Sequence, residues 1–382
     1  MKKLTPRYVL ENYNFTLLVF VVLTMIVGIF AVGIAKESLQ SRQILGVICA
    51  TILMIVVSFI DYHLFTKFYW IIYIVNFILL ALVLSGLGDD AGGAQRWLDI
   101  GIRFQPSELA KILLIFFFSQ FIMVNRERLN SFKIIIASVI LIGGPLLLVL
   151  MQPDLSTSII ITILFATMLF VGGLSIKIVL GFLAVFIPTA VILFSIVIQP
   201  DQTLIKSYQQ MRILAWLHPE EYADKEAFQQ INSKIAIGSG QLLGKGIAGT
   251  EIQSIQNGSF ISQPQTDFIF AVIGEQWGFI GACVVIILLG IVSLQCYITA
   301  RKTKDLSGRI IAAAVGSMIC FQSFVNISVT TGLLPNTGLP LPFISYGLTS
   351  LFSVALSIGV VLNVHLQSGR ASSSGELRFD IE

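Results

Sequence analysis

The stretch Gln263-Pro264-Gln265-Thr266-Asp267-Phe268-Ile269-Phe270 joins a long polar segment to an apolar run at 267–297. That run exceeds the roughly 20 residues an α-helix needs to cross a bilayer. A carboxylate at the boundary of water and hydrocarbon is costly to hold, so Asp267 needs a reason to be there. Two reasons are open at this point. It can cap the helix that follows, where the helix dipole favours negative charge, or it can carry chemistry.

Runs of similar length recur near 14–34, 43–60, 67–86, 107–124, 133–151, 156–173, 176–198, 309–334 and 343–366, making ten with 267–297. Composition agrees: 55% of the 382 residues are hydrophobic and 12% charged, roughly half the charged share of soluble proteins. The expected fold is an all-α polytopic membrane protein of ten transmembrane helices in one domain, residues 1–382. The spans must be helical because an open sheet edge cannot survive in hydrocarbon. Net charge is +3, too little to suggest nucleic acid. Cys49, Cys283, Cys296 and Cys320 lie unpaired inside apolar runs, and His63, His218 and His365 are far apart, so neither a disulfide framework nor a histidine metal site is expected.

Basic residues set the orientation. Lys2, Lys3 and Arg7 precede the first span, Arg126, Arg128 and Lys133 follow the fourth, and Arg301, Lys302, Lys304 and Arg309 follow the eighth. With ten spans these fall on one side, together with Arg370 and Arg378 of the tail at 367–382. The positive-inside rule makes both termini cytoplasmic. The one long loop, about 199–266 between helices 7 and 8, is then extracellular. Within it Phe228, Ile231 and Ile235 recur at helical spacing beside Lys225, Gln229, Gln230 and Lys234, as in a helix lying on the outer leaflet. Gly238-Ser239-Gly240 should end that helix, and Tyr208, Trp216 and Tyr222 suit the headgroup level.

Polar residues gather at the outward ends of the spans. Glu108 and Lys111 share one face of the fourth helix, after Pro106 and a candidate N-cap, Ser107. They read either as a self-neutralised buried pair or as a cationic site oriented by the glutamate. Asp154, in Gln152-Pro153-Asp154-Leu155-Ser156-Thr157, reads first as the cap of the sixth helix. Glu275 lies eight residues beyond Asp267 and near the same helical face. Gly238-Ser239-Gly240-Gln241-Leu242-Leu243-Gly244-Lys245-Gly246 is not a nucleotide loop, since its glycine spacing is wrong and no Ser or Thr follows the lysine. Tight turns beside the membrane are expected there, leaving Lys245 to an anionic headgroup. The Pro- and Gly-rich stretch 332–347 is too irregular for helix and reads as the re-entrant wall of a pocket.

Taken together, Gly93-Ala94-Gln95-Arg96-Trp97-Leu98, Phe104-Gln105-Pro106-Ser107-Glu108-Leu109-Ala110-Lys111, Gln152-Pro153-Asp154-Leu155, Thr266-Asp267-Phe268-Ile269-Phe270 and Gly338-Leu339-Pro340-Leu341-Pro342-Phe343-Ile344-Ser345-Tyr346-Gly347 resemble the SEDS family of cell-wall polymerases, which includes RodA, FtsW and SpoVE. Trp97-Leu98-Asp99, Ser233–Gly240 and Gly244-Lys245-Gly246 look more like the RodA branch. The resemblance implies a peptidoglycan glycosyltransferase of the bacterial cytoplasmic membrane. Such an enzyme polymerises lipid II on the outer face, in cell elongation and rod shape, beside a class B penicillin-binding protein transpeptidase. It places the family's essential aspartate on Asp267, its tryptophan on Trp97, and its Glu and Lys on Glu108 and Lys111. Many relatives carry Pro-Glu-x-His before Thr-Asp where this chain has Gln263-Pro264-Gln265, and after Ser345-Tyr346-Gly347 they usually continue Gly-Ser-Ser where it has Leu348-Thr349-Ser350.

On that footing Asp267 is the expected general base. The expected substrate-binding residues are Arg96, Trp97, Glu108, Lys111, Asp154, Arg212, Lys245 and Ser345. The cations Arg96, Lys111, Arg212 and Lys245 are candidates to meet a departing pyrophosphate, with a divalent cation (Mg or Mn) an open addition. A lipid II flippase and an FtsW- or SpoVE-type role in division or sporulation are the alternatives.

Overall fold

Inside a membrane each backbone N–H and C=O must be bonded within its own segment, so the apolar runs become helices. The computed structural model describes residues 12–91, 94–99, 103–199, 202, 205, 207–223, 227–246, 261 and 263–368. In chain order these form α1 (Phe15–Ala35), α2 (Glu37–Ser58), the short α3 (Tyr62–Lys67) and α4 (Tyr69–Leu82), then strands β1 (Gly88–Ala91), β2 (Ala94–Asp99) and β3 (Arg103–Phe104). There follow α5 (Pro106–Val124), α6 (Phe132–Met151), α7 (Leu155–Val171), α8 (Ile176–Val197), α9 (Ser207–Leu217), α10 (Phe228–Ser239), α11 (Ile269–Lys302), α12 (Leu306–Thr330) and α13 (Leu348–Ser368). Lys2, Lys3, Arg7, Gly93, Lys225, Arg370, Arg378 and the side chains of Gln95, Asp99, Arg103 and Tyr208 lie outside the described residues.

Eight of the helices among the described residues are long and apolar enough to cross a membrane: α1, α2, α5, α6, α8, α11, α12 and α13. Two further apolar helices, Tyr69–Ser85 and Leu155–Val171, are shorter. The chain is an all-α, multi-pass membrane protein. One connection departs from helix: β1, β2 and β3 form a small antiparallel sheet in that order, with Trp97 opposite Asp89 and Leu98 opposite Phe104.

The bundle divides into core and periphery. α12 packs against α11, α7 and α5, and 72% of its apolar window is buried, whereas none of α8's is. Small residues allow the close approach. A Cβ added at Gly316 of α12 would lie 3.0 Å from Cys296 Cβ of α11, and Ser293 Oγ donates to the Gly316 carbonyl at 2.9 Å. α13 packs along α2, where Leu348 fills the space over Gly46. The side chain added relative to the family pattern therefore packs helix on helix.

α11 is broken at Gly278, whose φ of 64° is open to glycine and strained for other residues. The segment after α10 docks into that break. Lys245 N and Gly246 N donate to the carbonyls of Glu275 and Gln276 at 3.0 and 3.1 Å, while Phe279 N and Ile280 N donate to those of Gln241 and Leu242 at 2.8 and 3.2 Å. The glycine-rich motif is thus the partner of a helix kink, supplying hydrogen bonds that the helix itself cannot. Lys245 is not left to a headgroup: its Nζ lies 3.1 Å from Oε1 of buried Glu275.

α10 forms where helical spacing placed it and ends before Gly240, but its inward face is unexpected. Gln230 donates to the carbonyls of Val329 and Leu334 at 2.8 and 2.7 Å, and Ser233 to that of Thr330 at 2.8 Å. Phe228 and Ile235 stay exposed. The polar side grips the protein because loose carbonyls at the end of α12 need donors.

Candidate active site

Four segments meet at one end of the bundle: β2, the start of α7, α9, and the irregular segment 332–347. They line a cleft of about 50 Å³ formed by Arg96, Pro153, Leu155, Ser156, Gln209, Arg212, Ile213, Pro335, Asn336 and Thr337. Arg96 is anchored by donating to the carbonyls of Gln152, at 3.4 Å, and Pro153. Arg212 donates to the Asn336 carbonyl at 3.5 Å. Ser156 Oγ donates to the Thr337 carbonyl, fastening the cleft's floor to its wall. Trp216, expected at headgroup level, donates its indole N–H to the Gly332 carbonyl at 3.1 Å and so braces α9 on the same wall.

Asp267 stands before the first turn of α11. It does not cap that helix: the N-cap position is Phe268, and no side chain caps there. Its backbone is held from two sides. Asn326 Nδ2 donates to the Asp267 carbonyl at 2.8 Å, and Ser345 Oγ donates to the preceding Thr266 carbonyl at 2.5 Å. Tyr346 N adds a bond to the Gln265 carbonyl at 2.8 Å. Gly338, with φ of 73°, brings the wall close to the carboxylate, since a Cβ there would lie 3.4 Å from Asp267 Oδ2. Among the described residues no hydrogen bond to the Asp267 carboxylate is seen. Burial pushes its pKa up to about 6, with Arg212 and then Arg96 opposing the rise and Asp154 adding to it. Asp267 does not itself line the cleft, but the two arginines that do, Arg96 and Arg212, are near enough to influence its carboxylate.

The other expected site residues divide. Arg96 and Arg212 line the cleft. Asp154 caps α7, accepting from Thr157 N at 3.1 Å, Thr157 Oγ1 at 2.9 Å and Ser107 Oγ at 3.3 Å. Ser107, expected as a cap, spends its hydroxyl there instead. Glu108 and Lys111 are buried and joined at 2.9 Å, and Lys111 Nζ also donates to Gln322 Oε1 at 3.2 Å. Of the two readings of this pair, the geometry is that of the self-neutralised one, and neither residue lines the cleft. Lys245 is likewise paired and away from the cleft. Trp97 is half-buried on β2 beside Arg96. Ser345 acts as a clasp, its Oγ also accepting from Leu341 N at 2.8 Å.

Gln209, Gln322, Asn326, Asn336 and Thr337 are not among the residues the sequence singles out. Gln322 and Asn326 carry a readable signal all the same, being polar and four apart on one face of a spanning helix. Among the described residues no group of three or more His, Cys, Asp or Glu side chains is placed to hold a metal ion. The donor set does not fit a protein-only site for the divalent cation left open above.

The family model described as "Cell cycle protein" (FTSW_RODA_SPOVE) matches residues 4–370. The chain belongs to the FtsW/RodA/SpoVE family. It is 35% identical over 342 residues to the peptidoglycan glycosyltransferase MrdB of Escherichia coli K12, covering 88% of each chain. It is 33% identical over 326 residues to the stage V sporulation protein E of Bacillus subtilis, covering 85% of this chain and 86% of that one. In structure it resembles a chain described under "Structural coordination of polymerization and crosslinking by a peptidoglycan synthase complex", with TM-score 0.75, 26% identity, and coverage of 93% and 98%. A mutant form of the Thermus thermophilus rod shape determining protein RodA matches at TM-score 0.67 and 26% identity with the same coverage. Membership ties this membrane protein to peptidoglycan synthesis and cell shape.

Proposed function

We propose that the chain is a peptidoglycan glycosyltransferase that polymerises lipid II on the outer face of the cytoplasmic membrane, serving elongation and rod shape. The observation that carries this reading is Asp267: a carboxylate not used for capping, held by its backbone, and set beside Arg96 and Arg212. In the reaction the 4-hydroxyl of one lipid II attacks the anomeric carbon of the growing strand. Asp267 takes the hydroxyl proton, the bond to undecaprenyl pyrophosphate breaks, and the pyrophosphate leaves with the electron pair. Attack opposite the leaving group turns an α linkage into β, parallel to single-displacement glycosidases. A positioned general base contributes roughly 10²–10⁴-fold. A pKa of about 6 suits the task, since the group is mostly ionised at neutral pH yet basic enough to accept a proton. Arg96 and Arg212 supply the fixed positive charge for the leaving pyrophosphate.

The reading includes ten spans with both termini cytoplasmic, counting α4 and α7 as the two shorter crossings. The connections after the third, fifth, seventh and ninth spans then share the outer side, which agrees with their meeting at one cleft. The proposed partner is a class B penicillin-binding protein that crosslinks the strands; the likeness to a synthase complex supports it.

The deciding experiment incubates purified chain with lipid II in detergent, with and without the transpeptidase. Glycan polymer is expected from the wild type and none from Asp267→Asn that remains folded. A flippase makes no polymer under these conditions, and an Asn variant with full activity ends the assignment of the base.

A further inference from the structure

The segment 339–341 is pinned residue by residue. Asn326 Nδ2 donates to the Leu339 carbonyl at 2.7 Å, Gln322 Nε2 to the Pro340 carbonyl at 3.2 Å, and Leu341 N to Ser345 Oγ at 2.8 Å. The same Asn326 amide nitrogen holds the Asp267 carbonyl, and the same Ser345 hydroxyl holds that of Thr266. Asn326 therefore ties the wall to the turn bearing the carboxylate. Gln322, one turn away on α12, ties the wall to a second body, since its Oε1 accepts from Lys111 Nζ, itself 2.9 Å from Glu108. The side chains of Glu108, Lys111, Gln322 and Asn326 are all buried. α12 is, with α5, among the most deeply buried of the spanning helices and makes a rigid mount.

Resting on Asp267 as the base, we propose that Gln322 and Asn326 are positioning residues of the reaction. They form a relay from the Glu108–Lys111 pair to the backbone that aims the Asp267 carboxylate. In this arrangement Lys111 is not a ligand for pyrophosphate. Its ammonium polarises and orients the Gln322 amide, so that Nε2 points at the Pro340 carbonyl. An amide is the required group at 322, because it must accept from Lys111 with one atom and donate to Pro340 with the other. Glutamate at 322 keeps the first bond and loses the second. Asn326 must donate twice, which neither Asp nor Ala can do.

The test is steady-state polymerisation of lipid II by the full chain, varied in substrate concentration and in pH. Asn326→Ala is expected to lower kcat by about 10²-fold, the scale for an ångström-sized misplacement, with KM for lipid II little changed. Gln322→Glu is expected to lower kcat by a smaller factor, and Gln322→Met, which keeps the volume, to lower it similarly. Freeing the wall admits water to Asp267, so the acid limb of the pH–rate profile should move below about 6. The charges facing that carboxylate, Arg212, Arg96 and Asp154, are unchanged in these variants. A purely structural role would reduce the yield of folded protein and leave kcat and the acid limb of the folded fraction alone. That result, with Asp267→Asn inactive, overturns the relay. An active Asp267→Asn overturns instead the base on which it rests. Should Asn326→Ala not fold, the two Gln322 variants decide by the same readouts.

Discussion

Two helices, α7 and α11, are each preceded by an aspartate, and they use it in opposite ways. Asp154 spends both oxygens, one on Thr157 N and the other on the hydroxyls of Thr157 and Ser107. Asp267, before α11, caps nothing and keeps its carboxylate out of the described hydrogen bonds, while its backbone is held by Asn326 and Ser345. The first is a carboxylate whose burial is offset by donors. The second is half-buried and has no such donors, so desolvation goes unopposed by hydrogen bonds and its pKa rises to about 6. A buried polar group with its partners arranged stabilises; one left open costs stability and is retained where it serves a reaction.

The largest effect that can break this comparison is on turnover. Polymerisation should fall as pH drops through about 6, because the base works only when deprotonated. A wild-type pH–rate profile that stays flat through this range would place the base elsewhere. Next comes Arg212→Gln, which removes a charge acting on Asp267 and, in the proposed reaction, on the leaving group. A loss of roughly 10²-fold in kcat is expected, on the scale of deleting one electrostatic donor, with the protein still folded by circular dichroism.

Thermal melts then separate the two aspartates by sign. Asp267 has its folded pKa raised from the ordinary 3.8 to about 6, so the folded state gains stability from the bound proton below pH 4 and loses it as pH rises through 6. Asp267→Asn should therefore raise the melting temperature at pH 7–8, and the gain should vanish near pH 4. Asp154→Ala should lower it, because a cap contributing about 1–2 kcal/mol of stability is lost, with far less loss of turnover per folded molecule. Equal signs for the two variants would mean that both carboxylates are structural. The smallest effect is expected from Leu348→Gly, which restores the family pattern. It removes packing over Gly46, costing about 1 kcal/mol of burial, and leaves turnover at the wild-type level.

Much of the architecture could be read directly from the chain. Apolar runs of bilayer length have one backbone solution in lipid, and each run maps onto a helix of the structure, two of them short. The frame of Asp267 was also visible, as a carboxylate at a boundary with no obvious compensation. Its rival role as a cap was not separable on the same terms. Capping depends on the rotamer and the dihedrals of the first turn, and Asp154 and Asp267 both precede apolar helices. Lys245 and Lys111 looked like available cations because spacing along the chain does not reveal that Glu275 reaches the first and Gln322 the second. The strands at 88–104 went unforeseen, since polar connections outside the membrane are free of the constraint that makes the spans predictable.

Residue types and their order alone decided that this is a helical, multi-pass membrane protein with a carboxylate at a span boundary, because apolar runs of bilayer length can satisfy their backbone in lipid as helices whatever they pack against. Which carboxylate is spent and which is kept, and which cations face it, was decided by the convergence of β2, α7, α9 and the 332–347 wall. That cleft gathers residues up to 241 positions apart, from Arg96 to Thr337. Hydrogen bonds and charge–charge terms fall off within a few ångströms, so only the packed chain could settle them.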